Sequence, residues 1–361
     1  MKAAVMRALH APLVIEDIDV STPGPREVLI RTSATGVCHS DLHVVEGALP
    51  TVLPVVLGHE PAGTVEQVGS EVRQFTRGDH VIGCLSVFCG ECEYCLAGRP
   101  NLCGGETTMR GAGEAPRLSK DGAAIAPFAQ LGAFAEQMLV HENALVKIRP
   151  DMPLDRAALI GCGVTTGLGA ALNTAKVRPG RTAAVIACGG VGLSIIQGCR
   201  LAGAARIIAI DTSDWKLDLA KRLGATDAIN ADEGNVVAAV VEMTKGGVDY
   251  AFEAIGLAAT VRQAVRMTRK GGTTVMVGVV PVGTNVELPG ADIVLREKTI
   301  LGSMMGSNRF RIDMPRYVDL YLNGQLELDA MITARLPLEE VNDALEALRQ
   351  GTAARSVVVF G

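Results

Sequence analysis

The stretch TAAVIACGGVGLSIIQGCRLAGAARIIAID, residues 182 to 211, restricts the possible folds more than any other part of the chain. An apolar run is followed at once by closely spaced glycines, then a small-residue segment of helical character, then a second apolar run that ends in Asp211. Strand, glycine turn, helix and strand in that order form a βαβ unit with parallel strands. Gly189, Gly190 and Gly192 let the backbone turn tightly and approach a pyrophosphate, whose charge the helix N-terminus stabilises. Asp211 stands where a carboxylate accepts hydrogen bonds from both ribose hydroxyls and repels a 2′-phosphate, which favours NAD over NADP. One position departs from the G-x-G-x-x-G pattern: Ala187 holds the place of the first glycine, an exchange that is tolerable at negative φ.

The same rhythm continues in a charged helix, WKLDLAKRLGA, and in DAIN, VDYAFEAIG, GGTTVMVGV and TILGSMMG. Residues 164 to 306 are therefore expected to form a doubly wound α/β domain with a parallel sheet. Before it, residues 1 to 163 give short β-rich runs such as EVLIRT, AGTVEQVG and DHVIGCL between Gly, Pro and Asp turn signals, the pattern of an antiparallel β domain. After it, residues 307 to 361 give two amphipathic helices, MPRYVDLYLNG and LEEVNDALEALRQG, and a strand, RSVVVF. This tail is expected to pack back and complete the first domain.

Composition removes several function classes. A chain of 361 residues, 48% hydrophobic and 20% charged with a net charge of -5, has the profile of a soluble two-domain protein. No Lys/Arg run is dense enough to neutralise phosphates along a nucleic acid. Lys2, Arg7 and His10 interrupt the N-terminal apolar residues, so no secretory h-region is present. The uncharged stretch from 182 to 199 is broken by four glycines, which suits a strand, turn and helix better than a bilayer span. A cytoplasmic enzyme with a small-molecule substrate is expected, without nucleic-acid or membrane partners. Nine cysteines at irregular spacing in a reducing compartment argue for metal binding over a disulfide framework.

Four of them, Cys89, Cys92, Cys95 and Cys103, fall within FCGECEYCLAGRPNLC with spacing C-x2-C-x2-C-x7-C. Four thiolates from one short loop can close a tetrahedron around Zn²⁺ and leave no open position. Two other readings remain at this point: an iron-sulfur cluster, since C-x2-C-x2-C also occurs in ferredoxins, and four unrelated buried cysteines. Catalysis at a metal would need a second site, and GVCHSDLH, GHE and GCG offer Cys38, His59 and Cys162, the Cys2His set with which alcohol dehydrogenases leave zinc a fourth position. Their wide separation proves nothing by spacing.

Along nearly its whole length the chain resembles the zinc-dependent medium-chain alcohol dehydrogenases. GVCHSDLHVVEG, VLGHEPAGTVEQVG, GDHVIG, the four-cysteine loop, ALIGCGVTTGLGAA, GGVGLSIIQGCRLAGAARIIAID and GGVDYAFEAIG occur in that family's order. The resemblance implies a GroES-like β-rich catalytic domain joined to a Rossmann cofactor domain, and two zinc ions per chain. The catalytic zinc ligands fall on Cys38, His59 and Cys162, the structural ones on Cys89, Cys92, Cys95 and Cys103. Glu60 corresponds to a carboxylate beside the zinc, Asp41 to the acid that orients the ligand histidine, and Ser40 and His43 to a proton relay. Lys216 matches an adenosine-ribose contact, Thr166 and Val191 lie against the nicotinamide, and Arg355 matches a pyrophosphate contact. His39 stands where many relatives carry an arginine on the pyrophosphate, which weakens that charge contact. Leu49, Leu85, Phe128, Val279 and Met304 correspond to pocket positions, Val279 also facing the cofactor.

The implied activity is oxidation of an alcohol to the aldehyde or ketone, with zinc as Lewis acid and hydride passing to NAD⁺. The wholly apolar pocket positions favour medium, bulky or aromatic primary alcohols. Alternatives on the same fold are an aldehyde reductase, a nicotinoprotein that retains its cofactor, and a thiol-adduct formaldehyde dehydrogenase, a branch that carries an acid at the position of Leu49. A third class is a non-catalytic metal- and nucleotide-binding protein. The segment from Gly104 to Gln130 is kept, where the family's tetrameric microbial branch shortens it, so the resemblance implies a homodimer, with TTVMVGV expected as the pairing edge strand.

Overall fold

Glu27–Val37 is the strand around which the first part of the molecule is built: most of its apolar residues are buried, and it pairs with neighbours along both edges. The computed structural model describes residues 1 to 111 and 113 to 361. They form two compact units, one of Met1–Cys162 with Arg309–Gly361 and one of Gly163–Asn308.

In the first unit Glu27–Val37 pairs antiparallel with Glu60–Val68 on one side, and with Gln137–His141 and Arg355–Val359 on the other. The chain's last strand thus enters the sheet opened by its first thirty-odd residues. The register sets Gly36 opposite Glu60, so Cys38 and His59 come to the same end of neighbouring strands. His80–Gly83 and Leu145–Lys147 extend this sheet beyond Glu60–Val68, and Ile332–Leu336 extends it beyond Arg355–Val359. A second sheet is built around Lys2–Met6, which pairs with Val14–Asp17 and Val55–Val56. Pairing is mostly antiparallel, as the turn-rich sequence implies, but Val55–Val56 runs parallel to Ala123–Pro127 and Ile332–Leu336 parallel to Arg355–Val359. Each parallel pair joins segments distant in sequence, so no tight hairpin fixes its direction.

The second unit is an all-parallel sheet in the order Asp227–Asn230, Arg206–Asp211, Thr182–Ile186, Val248–Glu253, Thr268–Met276 and Thr299–Gly302. Its central strands, TAAVI and RIIAID, are near-continuous apolar runs because both faces of such a sheet are covered. The expected edge strand needs correcting. Thr268–Met276 is interior, and the outer strand is Thr299–Gly302, only four residues long and therefore inconspicuous in the sequence.

An uncharged run one residue longer than 182 to 199, residues 157 to 175, largely coincides with the helical segment Leu154–Thr174, which is apolar enough to span a bilayer by composition. Its most apolar window is 83% buried, so it is a core helix.

Candidate active site and metal centres

The four-thiol loop folds on itself through local turns. Gly90 and Gly98 sit at φ +93° and +73° with open space around them, which reverses the chain between the cysteines. Cys92 precedes the short helix Glu93–Leu96 that carries Cys95, and Cys103 follows the turn Pro100–Leu102. The Sγ atoms of Cys92 and Cys95 are 3.5 Å apart, those of Cys103 and Cys89 3.6 Å, and those of Cys89 and Cys95 3.9 Å. A tetrahedron with metal–sulfur arms of about 2.3 Å has edges of about 3.8 Å, so these four sulfurs match one ion at their centre. A cluster of several irons seats its thiolates on different metals and spreads them farther apart. Backbone N–H groups of Glu91 and Cys92 donate to Cys89 Sγ, and those of Cys89 and Gly105 to Cys103 Sγ. The two N–H donors hold the Cys89 thiol down to about 6, while burial pushes Cys95 up to about 12.

The second set is assembled from three distant segments. Cys38 ends the central strand and caps helix His39–Val45; His59 precedes Glu60–Val68; Cys162 lies in a π-turn, Ile160–Val164, that follows helix Leu154–Leu159. Such turns often mark functional positions. Gly161 is required there, because a Cβ would stand 2.9 Å from the Gly83 carbonyl oxygen. Ligand atoms of Cys38, His59, Glu60 and Cys162 all lie within 4.8 Å of one another, and all four residues are buried. Asp41, fully buried, organises them: one oxygen takes His59 Nδ1 at 3.0 Å and Gly58 N–H at 3.0 Å, and the other takes Cys38 N–H at 3.1 Å. His59 Nε2 is left buried without a hydrogen-bond partner among the described residues. An orphaned imidazole nitrogen costs free energy unless something accepts its lone pair, and a zinc ion beside two cysteine sulfurs fits that need.

Burial alone lowers the His59 pKa, but the Asp41 carboxylate and Cys38 raise it to about 10, so a metal on Nε2 would bind by displacing a proton there. The Cys162 thiol donates to Cys38, which holds Cys38 well below the ordinary thiol range and pushes Cys162 well above it. Glu60 pairs with the Arg355 guanidinium through Oε2, and its Oε1 has no partner among the described residues. Gly36 makes room for this ion pair, since a Cβ there would run into both side chains. Arg355, expected on a pyrophosphate, is buried in an ion pair with Glu60, a contact that the sequence reading missed.

Ser40 Oγ lies 3.8 Å from Cys38 Sγ. His43 follows three residues later on the same helix, half-buried, with its ring 6.3 Å from that of the exposed His39. Phe128 sets its ring edge-on to His59 at 5.7 Å. Leu49 and Phe128 pack from the side against one apolar core, Leu85 against another.

In the second unit Gly189 precedes helix Gly190–Leu201, which contains Val191 and Gly192. A Cβ on Gly192 would fall 1.7 Å from the Ala187 carbonyl oxygen, so only glycine fits, whereas Gly189 faces open space. The expectation for Ala187 fails: its φ is +78°, a conformation that suits glycine and that the tight turn imposes regardless of the side chain. Asp211 ends its strand and accepts N–H from Cys188 at 2.7 Å and from Ser213 at 3.0 Å, one on each oxygen. Lone pairs remain for other donors. Lys216 lies over the Trp215 ring at 5.7 Å, and buried Thr166 donates to Met305 Sδ at 3.3 Å. Val279 and Met304 are exposed.

Residues 24 to 150 match the model of the alcohol dehydrogenase GroES-like domain, and residues 190 to 323 that of the zinc-binding dehydrogenase domain. The chain is 43% identical to an alcohol dehydrogenase class-3 of Drosophila melanogaster, over 99% of this chain and 97% of the relative. It is 39% identical to an S-(hydroxymethyl)glutathione dehydrogenase of Haemophilus influenzae, with the same coverage. Among solved structures, benzyl alcohol dehydrogenase from Acinetobacter calcoaceticus superposes with a TM-score of 0.94 at 33% identity, covering 100% of this chain and 99% of that one.

Proposed function

The chain belongs to the zinc-dependent medium-chain alcohol dehydrogenases, and on that premise we propose that it oxidises apolar primary alcohols to aldehydes with NAD⁺. The observation that carries this reading is the buried Cys38, His59 and Cys162 set with its unpartnered imidazole nitrogen. Cys38, His59 and Cys162 would hold a zinc ion, which would supply the Lewis acidity for loss of a hydroxyl proton near neutral pH, with bound NAD⁺ as the hydride acceptor. Asp41 keeps His59 in the tautomer that offers Nε2. Ser40, beside Cys38, is placed to accept the hydroxyl proton, and His43, on the same helix face and reaching solvent, to release it. Glu60, neutralised by Arg355, keeps net charge in the set low.

Phe128 against His59 places an apolar wall beside the ligand, which supports bulky or aromatic alcohols, and the benzyl alcohol dehydrogenase likeness agrees with it. A second reading, a hydroxymethyl-thiol adduct as substrate, is favoured by the relative named for that reaction. Leu49 in place of an acid speaks against it. A homodimer is supported by the short outer strand Thr299–Gly302 and by Val282, Val294 and Leu295, exposed by 84%, 75% and 82%. A reducing, cytoplasmic setting is supported by nine cysteines with no disulfide among the described residues.

The test is NADH formation from benzyl alcohol, compared with formaldehyde plus glutathione. Turnover of benzyl alcohol beyond one NADH per chain supports the first reading, turnover of the adduct alone replaces it with the second, and no turnover of either removes both.

A further inference from the structure

The strand order of the second unit reverses between Thr182–Ile186 and Val248–Glu253, with earlier strands on one side and later ones on the other. In open parallel sheets a dinucleotide lies across the crevice at this point, outside the carboxyl ends of the strands. The glycine turn after Ile186 forms one wall. The other is the turn after Glu253, whose last strand residue stands in register with Ile186 and with Met276.

Glu253 is fully buried, and the groups that donate to its carboxylate are neutral. Its Oε1 accepts Ile255 N–H at 3.0 Å, Gly256 N–H at 2.9 Å and the Thr260 hydroxyl at 2.8 Å, and its Oε2 accepts Gly256 N–H at 3.1 Å. Its own carbonyl takes Val277 N–H at 2.9 Å and Gly278 N–H at 3.0 Å, so the turn is tied to the end of the next strand. Ala254 N–H reaches back to the Ile186 carbonyl at 3.1 Å. No slack remains between the two segments: a Cβ on Gly256 would stand 2.3 Å from the Val279 carbonyl oxygen, and one on Gly278 2.1 Å from Gly256 N. Ile255, Leu257 and Val279 are left exposed around this locked turn.

We infer that Glu253 is the positioning residue for the nicotinamide half of the dinucleotide: its carboxylate fixes residues 254 to 257 and, through them, Val279, as the apolar wall opposite the glycine turn. The inference rests on the proposed use of NAD⁺. Asp211 lies across the reversal, on the adenosine side, so the two halves of the cofactor can be tested separately.

The experiment uses the full-length, zinc-loaded enzyme and measures NADH affinity by fluorescence and AMP affinity by competition. Glu253→Gln keeps the size of the side chain but sets an amide NH2 against the Gly256 N–H. NADH should bind about 5- to 20-fold more weakly, with KM for NAD⁺ rising in step and AMP affinity within about twofold of the parent. Thr260→Val removes only the hydroxyl donor and should give the same selectivity at about two- to fourfold, which decides the matter if the glutamine variant does not fold. Unchanged NADH affinity, or equal weakening of NADH and AMP, overturns the positioning role. A parent enzyme that binds neither ligand overturns the cofactor reading itself.

Discussion

The two metal centres are built from nearly the same ligand chemistry and differ in almost every other respect. The four-thiol loop is local, half-exposed and held by its own backbone N–H groups, and its four sulfurs leave no ligand position vacant. The Cys38, His59 and Cys162 set is buried, spans most of the first unit, and depends on Asp41, Gly36, Gly161 and the Glu60–Arg355 pair to exist at all. A closed local site can only hold a piece of chain in place. An open site needs a whole fold around it, because three ligands must be kept rigid while a fourth position is left for substrate.

The sharpest way to break this contrast is to remove one ligand from each. Cys38→Ser should lower kcat/KM for benzyl alcohol by about 1,000-fold or more, while the thermal transition moves little and zinc falls from two ions to one per chain. Retained activity would show that the buried set is not where the alcohol is activated. Cys103→Ala should do the reverse: about 5–10 °C lower in Tm and rapid proteolysis between residues 89 and 111, with activity per folded molecule within about threefold. Loss of activity as large as that of Cys38→Ser would assign chemistry to the loop.

The contrast also explains what could be read from the sequence. Cys89 to Cys103 are close enough that chain reach and two glycines favour their clustering, and the choice between one ion, an iron-sulfur cluster and four unrelated cysteines waited for the sulfur distances. Cys38, His59 and Cys162 carried no such signal. They were found by resemblance, and their meeting depends on the Gly36–Glu60 register and a π-turn, neither of which has a spacing rule. At Ala187 the strand, turn and helix were legible but not the sign of φ, because the close approach of Gly192 sets it. Glu253 passed unnoticed since an acid at the end of an apolar strand looks like a solvent-facing cap. Its burial is created by the turn that follows, whose Gly256 was the available clue.

Asp41 allows the comparison to be refined without deleting a ligand. Asp41→Asn keeps one acceptor oxygen and turns an NH2 toward the donors of the other, so either His59 and Gly58 or the Cys38 backbone loses its acceptor. Zinc affinity of the buried set should fall by about 10- to 100-fold in a chelator competition, with the loop's affinity unchanged. Equal loss from both centres would mean that the substitution acts on the fold rather than on the set.

The smallest expected effect concerns how the loop is anchored. Asn143 donates its side-chain N–H to the Phe88 carbonyl, one residue before Cys89, at 2.7 Å, and its backbone N–H to His141 Nδ1 at 3.0 Å. Burial, with the Arg26 charge nearby, holds the His141 pKa down to about 4 from its ordinary 6.5. Because the folded value is the lower one, the neutral ring's contribution is complete above pH 6.5 and is lost as pH falls toward 4, with no further change below. Across this window the unfolded chain takes up a proton that the buried ring refuses, and near pH 4 Nδ1 itself stops accepting from Asn143. The loss should reach about 1–2 kcal/mol by pH 5, seen as a falling Tm and as earlier proteolysis of the loop. His141→Gln supplies an oxygen acceptor that does not titrate, so its Tm should fall less steeply between pH 6.5 and about 4.5. Parallel pH profiles for parent and variant would show that His141 does not make the loop's anchorage depend on pH.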